Sequence, residues 1–166
     1  MVMRVVMGQL DELVLRETYG CFPTGVTAVA AMLDGRPTGM AASSFTSVSI
    51  DPPLVSVCIA NASRTWPALR GAARLGVSVL GEGHELAARQ LAARTGDRFA
   101  GLGVEVSEEG AIFIEGSTAW LDCSIRDELP AGDHLIALLR IHGLAAHLDV
   151  PPLVFHGSAF RQLATD

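Results

Sequence analysis

The sequence predicts a mostly β protein, an antiparallel barrel with short flanking helices. Three observations lead there. Short apolar runs with strand character recur from Val26 to Phe155, hairpin signals such as Asp34-Gly35 join neighbouring runs, and only two stretches have substantial helical pattern. The regular βαβ alternation of a parallel doubly wound sheet is absent. With no internal repeat, low-complexity segment or linker, residues 1–166 are expected to form a single domain.

Gln9 to Tyr19 places Leu10, Leu13 and Val14 at helical spacing, with Asp11 and Glu12 at the end where the helix dipole favours acids, and Gly20 as the stop. Phe22-Pro23-Thr24-Gly25 leads into a strand over Val26–Leu33. Asp34-Gly35 tolerates the positive φ angles of a tight hairpin, and the return strand begins at Pro37-Thr38-Gly39. Asp51-Pro52-Pro53 breaks the chain before a buried strand, Leu54–Ala60. Thr65 is positioned to cap a short helix over Trp66–Leu69, with Pro67 in its first turn and Gly71 after it. Leu75–Leu80 is a strand. His84–Arg94 is an alanine-rich helix with an apolar face of Leu86, Ala87 and Leu91, and Thr95–Gly103 is a surface loop carrying Phe99. Ala111–Ile114 and Ser117–Asp127 are strands, the second alternating with period two. Pro130-Ala131-Gly132-Asp133 is a turn, His134 to about His142 a long strand, and Leu153–Phe155 a last short one.

Hydrophobic content of 49% against 18% charged residues implies a large apolar surface hidden from water, hence an obligate homo-oligomer with an apolar interface, a homodimer being the expected form. A net charge of -6 and the lack of any Lys/Arg cluster argue against a nucleic-acid partner. No apolar run approaches the roughly 20 residues that span a bilayer. Met1–Gly8 holds only Arg4 and no long apolar stretch with a cleavage site, so no secretory leader is expected. Cys21, Cys58 and Cys123 are odd in number and lack metal-ligand spacing; reduced thiols in a cytoplasmic protein are the expectation, with Cys58 and Cys123 in the core.

Competing chemistries find little support. No Gly-x-Gly-x-x-Gly turn opens a helix and no Gly-x-Ser-x-Gly elbow occurs. The five histidines form no HExxH or dense carboxylate cluster, and His142 and His147 do not share a strand face, so no metal is expected.

The most informative stretch runs from Thr38 to Thr65. Two segments rich in small and hydroxyl-bearing residues flank the Leu54–Ala60 strand, a pattern suited to a flat ligand lying against main chain, with amides, hydroxyls and one guanidinium for an anionic tail. Phe22-Pro23-Thr24-Gly25-Val26, Ser44 to Ser49 with Asp51-Pro52-Pro53-Leu54, Asn61 with Ser63 and Thr65, Gly132-Asp133-His134 and Pro152 to Phe155 occur in order along nearly the whole chain. In these motifs the sequence resembles the flavin reductase family, FMN-binding split-barrel proteins that supply reduced flavin to partner monooxygenases.

That resemblance implies a split β-barrel and hydride transfer from NADH or NADPH to FMN or FAD, achieved by apposing two rings and excluding water, with no catalytic side chain. It places Pro23 and Thr24 near the flavin ring. Met40, Ala41, Ala42, Ser43, Ser44, Phe45 and Ser47 would lie along ring and ribityl chain, with Cys58, Ile59 and Ala60 beneath the ring edge. Asn61, Ser63, Arg64 and Thr65 would hold the phosphate end, and His134 and Phe155 would meet the nicotinamide nucleotide. A Phe near Phe99 covers ligand or dimer contact in the family; anchoring the loop is the alternative. Leu139 stands where family members often carry Gly, which reshapes the nicotinamide side or repacks a strand. A flavin-binding electron-transfer module and a flavin-retaining oxidase or oxygenase are the other readings. The related pyridoxamine-phosphate oxidases lack counterparts here for their basic phosphate ligands.

Overall fold

The computed structural model describes Gly8 and residues 10–164. Helix α1 (Glu12–Gly20) is capped by Asp11, whose Oδ1 accepts from the Val14 N–H at 2.9 Å. Gln9 lies outside the described residues, and Leu10 precedes the cap rather than joining the helix. No α1 residue is buried: Leu13 is 72% and Tyr19 70% exposed.

Strands β1 (Thr24–Gly25), β2 (Thr27–Leu33) and β3 (Arg36–Ala42) follow, the last two joined by Asp34 and Gly35 at φ 50° and 74°. Strands β4 (Thr46–Ser49) and β5 (Leu54–Ala60) precede helix α2 (Trp66–Leu69) and strand β6 (Leu75–Val79). A 3-10 turn over Glu82–His84 leads into α3 (Glu85–Leu91). The remaining strands are β7 (Val104–Val106), β8 (Ile112–Ile114), β9 (Ala119–Ala131), β10 (His134–Ala146), β11 (Val154–His156) and β12 (Ala159–Arg161).

Among the described residues all strand pairings are antiparallel. Seven strands form one sheet in the order β3-β2-β6-β9-β10-β5-β4, with β1-β11-β12 and β7-β8 as smaller sheets. The mostly antiparallel β class therefore holds. Among the described residues the ladder does not close into a barrel: β3 and β4 are its free edges.

Strands β9 and β10 are longer than the pattern predicts. Pro130, expected in the turn, sits inside β9 opposite Leu135, and the turn itself is Gly132-Asp133, with Gly132 at φ 68°. Strands β7 and β12 are too short to announce themselves in sequence. Helix α3 buries Ala87, Ala88 and Leu91, while Leu86 is 80% exposed. At about 100° per residue, Leu86 and Leu91 stand some 140° apart and cannot share one face.

Both faces of β2 are covered, which is why it reads as a continuous apolar run. Val29 and Ala31 pack on one side with Val57, Ile59, Trp66, Leu69 and Leu139. Ala28 and Ala30 pack on the other with Leu80, Leu91, Phe99, Ile112 and Leu153. Phe99, 9% exposed, is thus a hydrophobic anchor for its loop. Leu139 is fully buried opposite Val55 and Ile125, a core-packing residue. Strand β8 crosses over β6, where the Ile112 main chain lies against Gly76 and the Ile114 N–H donates to Ser78 Oγ at 2.9 Å.

The cysteines divide differently from the expectation. Cys123 is buried, and burial, aided by the Asp122 charge and opposed by Arg74, pushes its thiol up to about 12. Cys58 is exposed, because Val55, Val57 and Ile59 take the core-facing side of β5 and Cys58 falls on the opposite one. A thiol reagent is therefore expected to titrate Cys21 and Cys58 in the native protein and Cys123 only after denaturant is added.

His84 ties two loops together. Its Nδ1 accepts from the Gly81 N–H at 3.0 Å, which leaves the proton on Nε2 for the Glu115 carbonyl, also at 3.0 Å. Burial lowers its pKa from 6.5, against the raising effect of that carbonyl. Below pH 6.5 the unfolded chain takes up a proton that the native ring resists. This contribution to stability is complete above 6.5 and is lost as pH falls toward the depressed native value. Chemical denaturation across that window is expected to show a slope that His84→Gln reduces.

Candidate functional site

The sequence-predicted residues gather in three adjoining groups. The first lines a cavity of about 480 Å³ that includes Met40, Ala41, Ser63, Arg64 and Thr65. Strand β3 delivers Met40 to the side of one core cluster and Ala41 to the other, so neighbouring residues reach opposite layers. Ala42 ends the strand opposite Thr27, whose hydroxyl donates to its carbonyl at 2.9 Å. The segment after β5 supplies the polar wall. There Ser63, not Thr65, caps α2: its Oγ accepts from the Trp66 N–H at 3.2 Å. Thr65 makes no capping hydrogen bond, and its Oγ1 instead accepts from Arg98 Nη1 at 2.8 Å.

The second group spans the ends of β5 and β10. Cys58 and Ala60 project from the exposed face of β5, opposite Ile136 and His134 respectively. Ile59 points the other way and is 1% exposed, so only its main chain is left to face a ligand. Ser44 crosses to this strand, accepting from the Cys58 N–H at 2.8 Å and donating to its carbonyl at 3.1 Å. Its hydroxyl staples the β3–β4 connection to β5 rather than standing free. Ser43 and Ser47 are exposed nearby, and Phe45 packs against the first core cluster. Asn61 holds the β9–β10 turn twice, its N–H donating to the Asp133 carbonyl at 2.9 Å and its side-chain amide to the Gly132 carbonyl at 3.2 Å. The side-chain amide is therefore directed to the hairpin. His134 Nδ1 meets Asp133 Oδ1 at 2.7 Å, and this hydrogen bond, with the ring's charge, holds the exposed Asp133 carboxyl below its usual range.

The third group is the small sheet. Thr24 pairs directly with Phe155, and Pro23 precedes it. Phe155 stacks edge-on with Phe160 at 5.3 Å and packs on the same cluster as Ala41. The Thr24 hydroxyl is buried and finds no protein partner among the described residues.

Two residues of this region escape sequence reasoning. Arg94 and Arg98 line the first cavity from beyond α3, some thirty positions after Arg64, where the sequence reads as the end of a helix and a surface loop. The signal was there in the guanidiniums, in a chain with few basic groups. Elsewhere the histidines have local partners: His142 Nε2 contacts Ser124 Oγ at 2.7 Å, and His147 Nδ1 the Ser117 carbonyl at 2.8 Å.

This arrangement offers apolar walls, a hydroxyl- and guanidinium-rich end and a half-buried histidine beside the β9–β10 turn. Residues 19–164 match the family described as Flavin reductase like domain. The chain belongs to the flavin reductase family. Among relatives of this family member, a flavin reductase of Pseudomonas putida is 36% identical over 161 residues, spanning 96% of this chain and 95% of that one. The reductase subunit of a flavin-dependent monooxygenase from Mycobacterium tuberculosis is 34% identical, covering 89% of this chain and 80% of its own. In three dimensions this flavin reductase is similar to the NADH:FAD oxidoreductase of Streptomyces globisporus, solved with NAD and FAD fragments. The TM-score is 0.89, with 38% identity and 94% of each chain covered.

Proposed function

We propose that the protein is an NAD(P)H:flavin oxidoreductase that hands reduced flavin to a partner monooxygenase. The observation that carries this reading is the match to flavin reductases over nearly the full length of both chains. The residues fit the group: the first cavity has apolar walls at Met40 and Ala41 and an anion-holding end at Ser63, Arg64 and Thr65. Bound flavin supplies the hydride acceptor and the reduced nicotinamide the donor.

The chain's part is to bind, orient and exclude water. Main chain at Cys58–Ala60 and the Ser43–Phe45 connection, stapled to it by Ser44, would hold the flavin ring, with Ser47, Ala42, Pro23 and Thr24 as further contacts. Asn61 keeps the hairpin tip against the end of β5. His134, steadied by Asp133, orients the nucleotide, and Phe155 packs beside it. No side chain takes a proton in the chemical step. The seven-stranded sheet curls as a split barrel, and the protein works in the cytoplasm; among the described residues no helix is long and apolar enough to cross a membrane.

Two copies pair around α1, none of whose residues is buried and where Leu13 and Tyr19 are exposed, as is Phe22 just after it. Light scattering is expected to give twice the chain mass, falling to one chain in Leu13→Glu/Tyr19→Glu. A monomeric parent sinks the dimer.

Anaerobic stopped-flow mixing of flavin-loaded protein with NADH, then NADPH, tests the activity. Rapid loss of the oxidised flavin's visible band is expected. Bound flavin that stays oxidised with both nucleotides overturns the reductase and favours a flavin-retaining oxidase or electron carrier.

A further inference from the structure

A second polar cleft lies at the other end of the long hairpin from His134. Trp120 pairs with Ala145 there, and at about 3.3 Å per residue the run of β10 from His134 to Ala145 spans on the order of 35 Å. The cleft measures about 360 Å³, and its lining includes Glu105, Glu115, Asp149, Ser117, Trp120 and His147. Hydrogen bonds between neighbouring turns fix its walls. The His147 N–H donates to the Thr118 carbonyl at 2.7 Å, and the Thr118 hydroxyl to the Val150 carbonyl at 3.1 Å. The Val150 N–H closes the turn on the His147 carbonyl at 3.0 Å. Phe113 stacks on Trp120 at 5.4 Å and His147 meets it edge-on at 5.0 Å, so the indole is held as well.

The polar groups left over are acceptors. No Lys or Arg lines the cleft, and Glu105, Glu115 and Asp149 make no ion pair among the described residues. His147 donates from Nδ1 to the Ser117 carbonyl at 2.8 Å, since a carbonyl can only accept, which leaves Nε2 of the neutral ring as an acceptor. The Trp120 N–H is taken by the Ile114 carbonyl at 2.9 Å. Ser117 is fully buried, yet its Oγ has no hydrogen-bond partner among the described residues. Leaving a buried hydroxyl unpaired is costly, so a group that enters and pairs with it is favoured.

Three carboxylates, a hydroxyl and an imidazole nitrogen around an indole suit a ligand with positive charge, several N–H donors and a flat face. Among the described residues no group of His, Cys, Asp and Glu side chains is placed to hold a metal ion, which points to an organic cation. A guanidinium meets every requirement, with five donors in a planar fork, a permanent charge and a face that stacks on aromatic rings. An ammonium has the charge and three donors but no flat face.

We propose that this cleft is a guanidinium-binding site, separate from the flavin and nucleotide residues. The charge sits among Glu105, Glu115 and Asp149, the planar group lies by Trp120, and Ser117 Oγ and His147 Nε2 are further acceptors. A free guanidino compound and an arginine side chain of another protein share this chemistry, and the test separates the two sources.

Nuclear magnetic resonance of nitrogen-15-labelled protein follows the Trp120 indole N–H and the Gly116 amide, with the buried Trp66 indole as internal control. The ligands are n-butylguanidinium, n-butylammonium and a blocked Gly-Arg-Gly peptide. Saturable shifts at Trp120 and Gly116 are expected with both guanidinium ligands, at a Kd on the order of a millimolar or tighter. The ammonium is expected to bind about tenfold more weakly, and Glu105→Gln/Asp149→Asn, two exposed positions, to weaken n-butylguanidinium by about tenfold or more. A peptide that binds more tightly than n-butylguanidinium supports the site with a protein partner as source; equal affinities support it with a small guanidino compound. No saturable shift with either guanidinium ligand overturns the inference. Equal affinity for n-butylammonium, or a double variant that binds n-butylguanidinium as the parent does, overturns it too.

Discussion

Replacing Gly76 by alanine is expected to destabilise the fold by about 3 kcal/mol or more, the upper range for overpacking a filled core. A Cβ there would overlap the Ile112 carbonyl and come within 2.6 Å of its carbon and 2.9 Å of its nitrogen. Each of those atoms is main chain, so no rotamer change relieves the clash. Strand β8 must lift from β6, which breaks the Ile114–Ser78 hydrogen bond and opens the cluster around Leu80, Leu91 and Leu153. For a chain this size the melting temperature falls by about 6–12 °C. Gly83→Ala is the control: nothing lies within 4 Å of a Cβ there, and a change within about 0.5 kcal/mol is expected. Equal melting temperatures for both variants refute the close-approach argument.

His134→Ala is the second large effect. The ring leads β10 opposite Ala60 and contacts Asp133, so its loss removes a contact at the proposed nucleotide side without opening the core. Misplacing a reactant by about an ångström costs on the order of a hundredfold in rate. Flavin reduction at subsaturating NADH is therefore expected to slow by about tenfold to a hundredfold, in kcat as well as KM, with flavin affinity little changed. Asp133→Asn keeps a hydrogen-bonding partner for the ring and is expected to lose much less. Undiminished reduction in His134→Ala would remove this residue from the nucleotide site.

The strands were legible wherever local chemistry decided them. Asp34-Gly35 announced its hairpin because few residue pairs accept those φ angles, and the β5 run announced a covered strand. What sequence pattern missed was set by distant partners. Cys58 and Cys123 both sit in apolar strands, and only the sheet's layering decides that one faces out and the other in. Thr65 looks like the natural cap of α2, but Arg98, folded back from beyond α3, claims its hydroxyl and leaves the cap to Ser63. For the same reason the family motifs led to Met40, Ser63 and Arg64, while Arg94 and Arg98, which follow no local pattern, emerged only from the fold.

The double attachment of Asn61 to the hairpin tip bears on how two ligands sense each other. It binds the segment that becomes the Ser63–Thr65 wall to the turn that carries His134. If the wall holds the flavin's anion as proposed, ordering it would also order the turn, and part of the conformational freedom the second ligand extinguishes would already be gone. Reciprocity then sets one factor for both directions: by whatever ratio flavin sharpens the affinity for nucleotide, nucleotide sharpens the affinity for flavin. On the proposed placement of the two ligands, cutting the Asn61 tether is expected to leave two independent sites in place of a coupled pair.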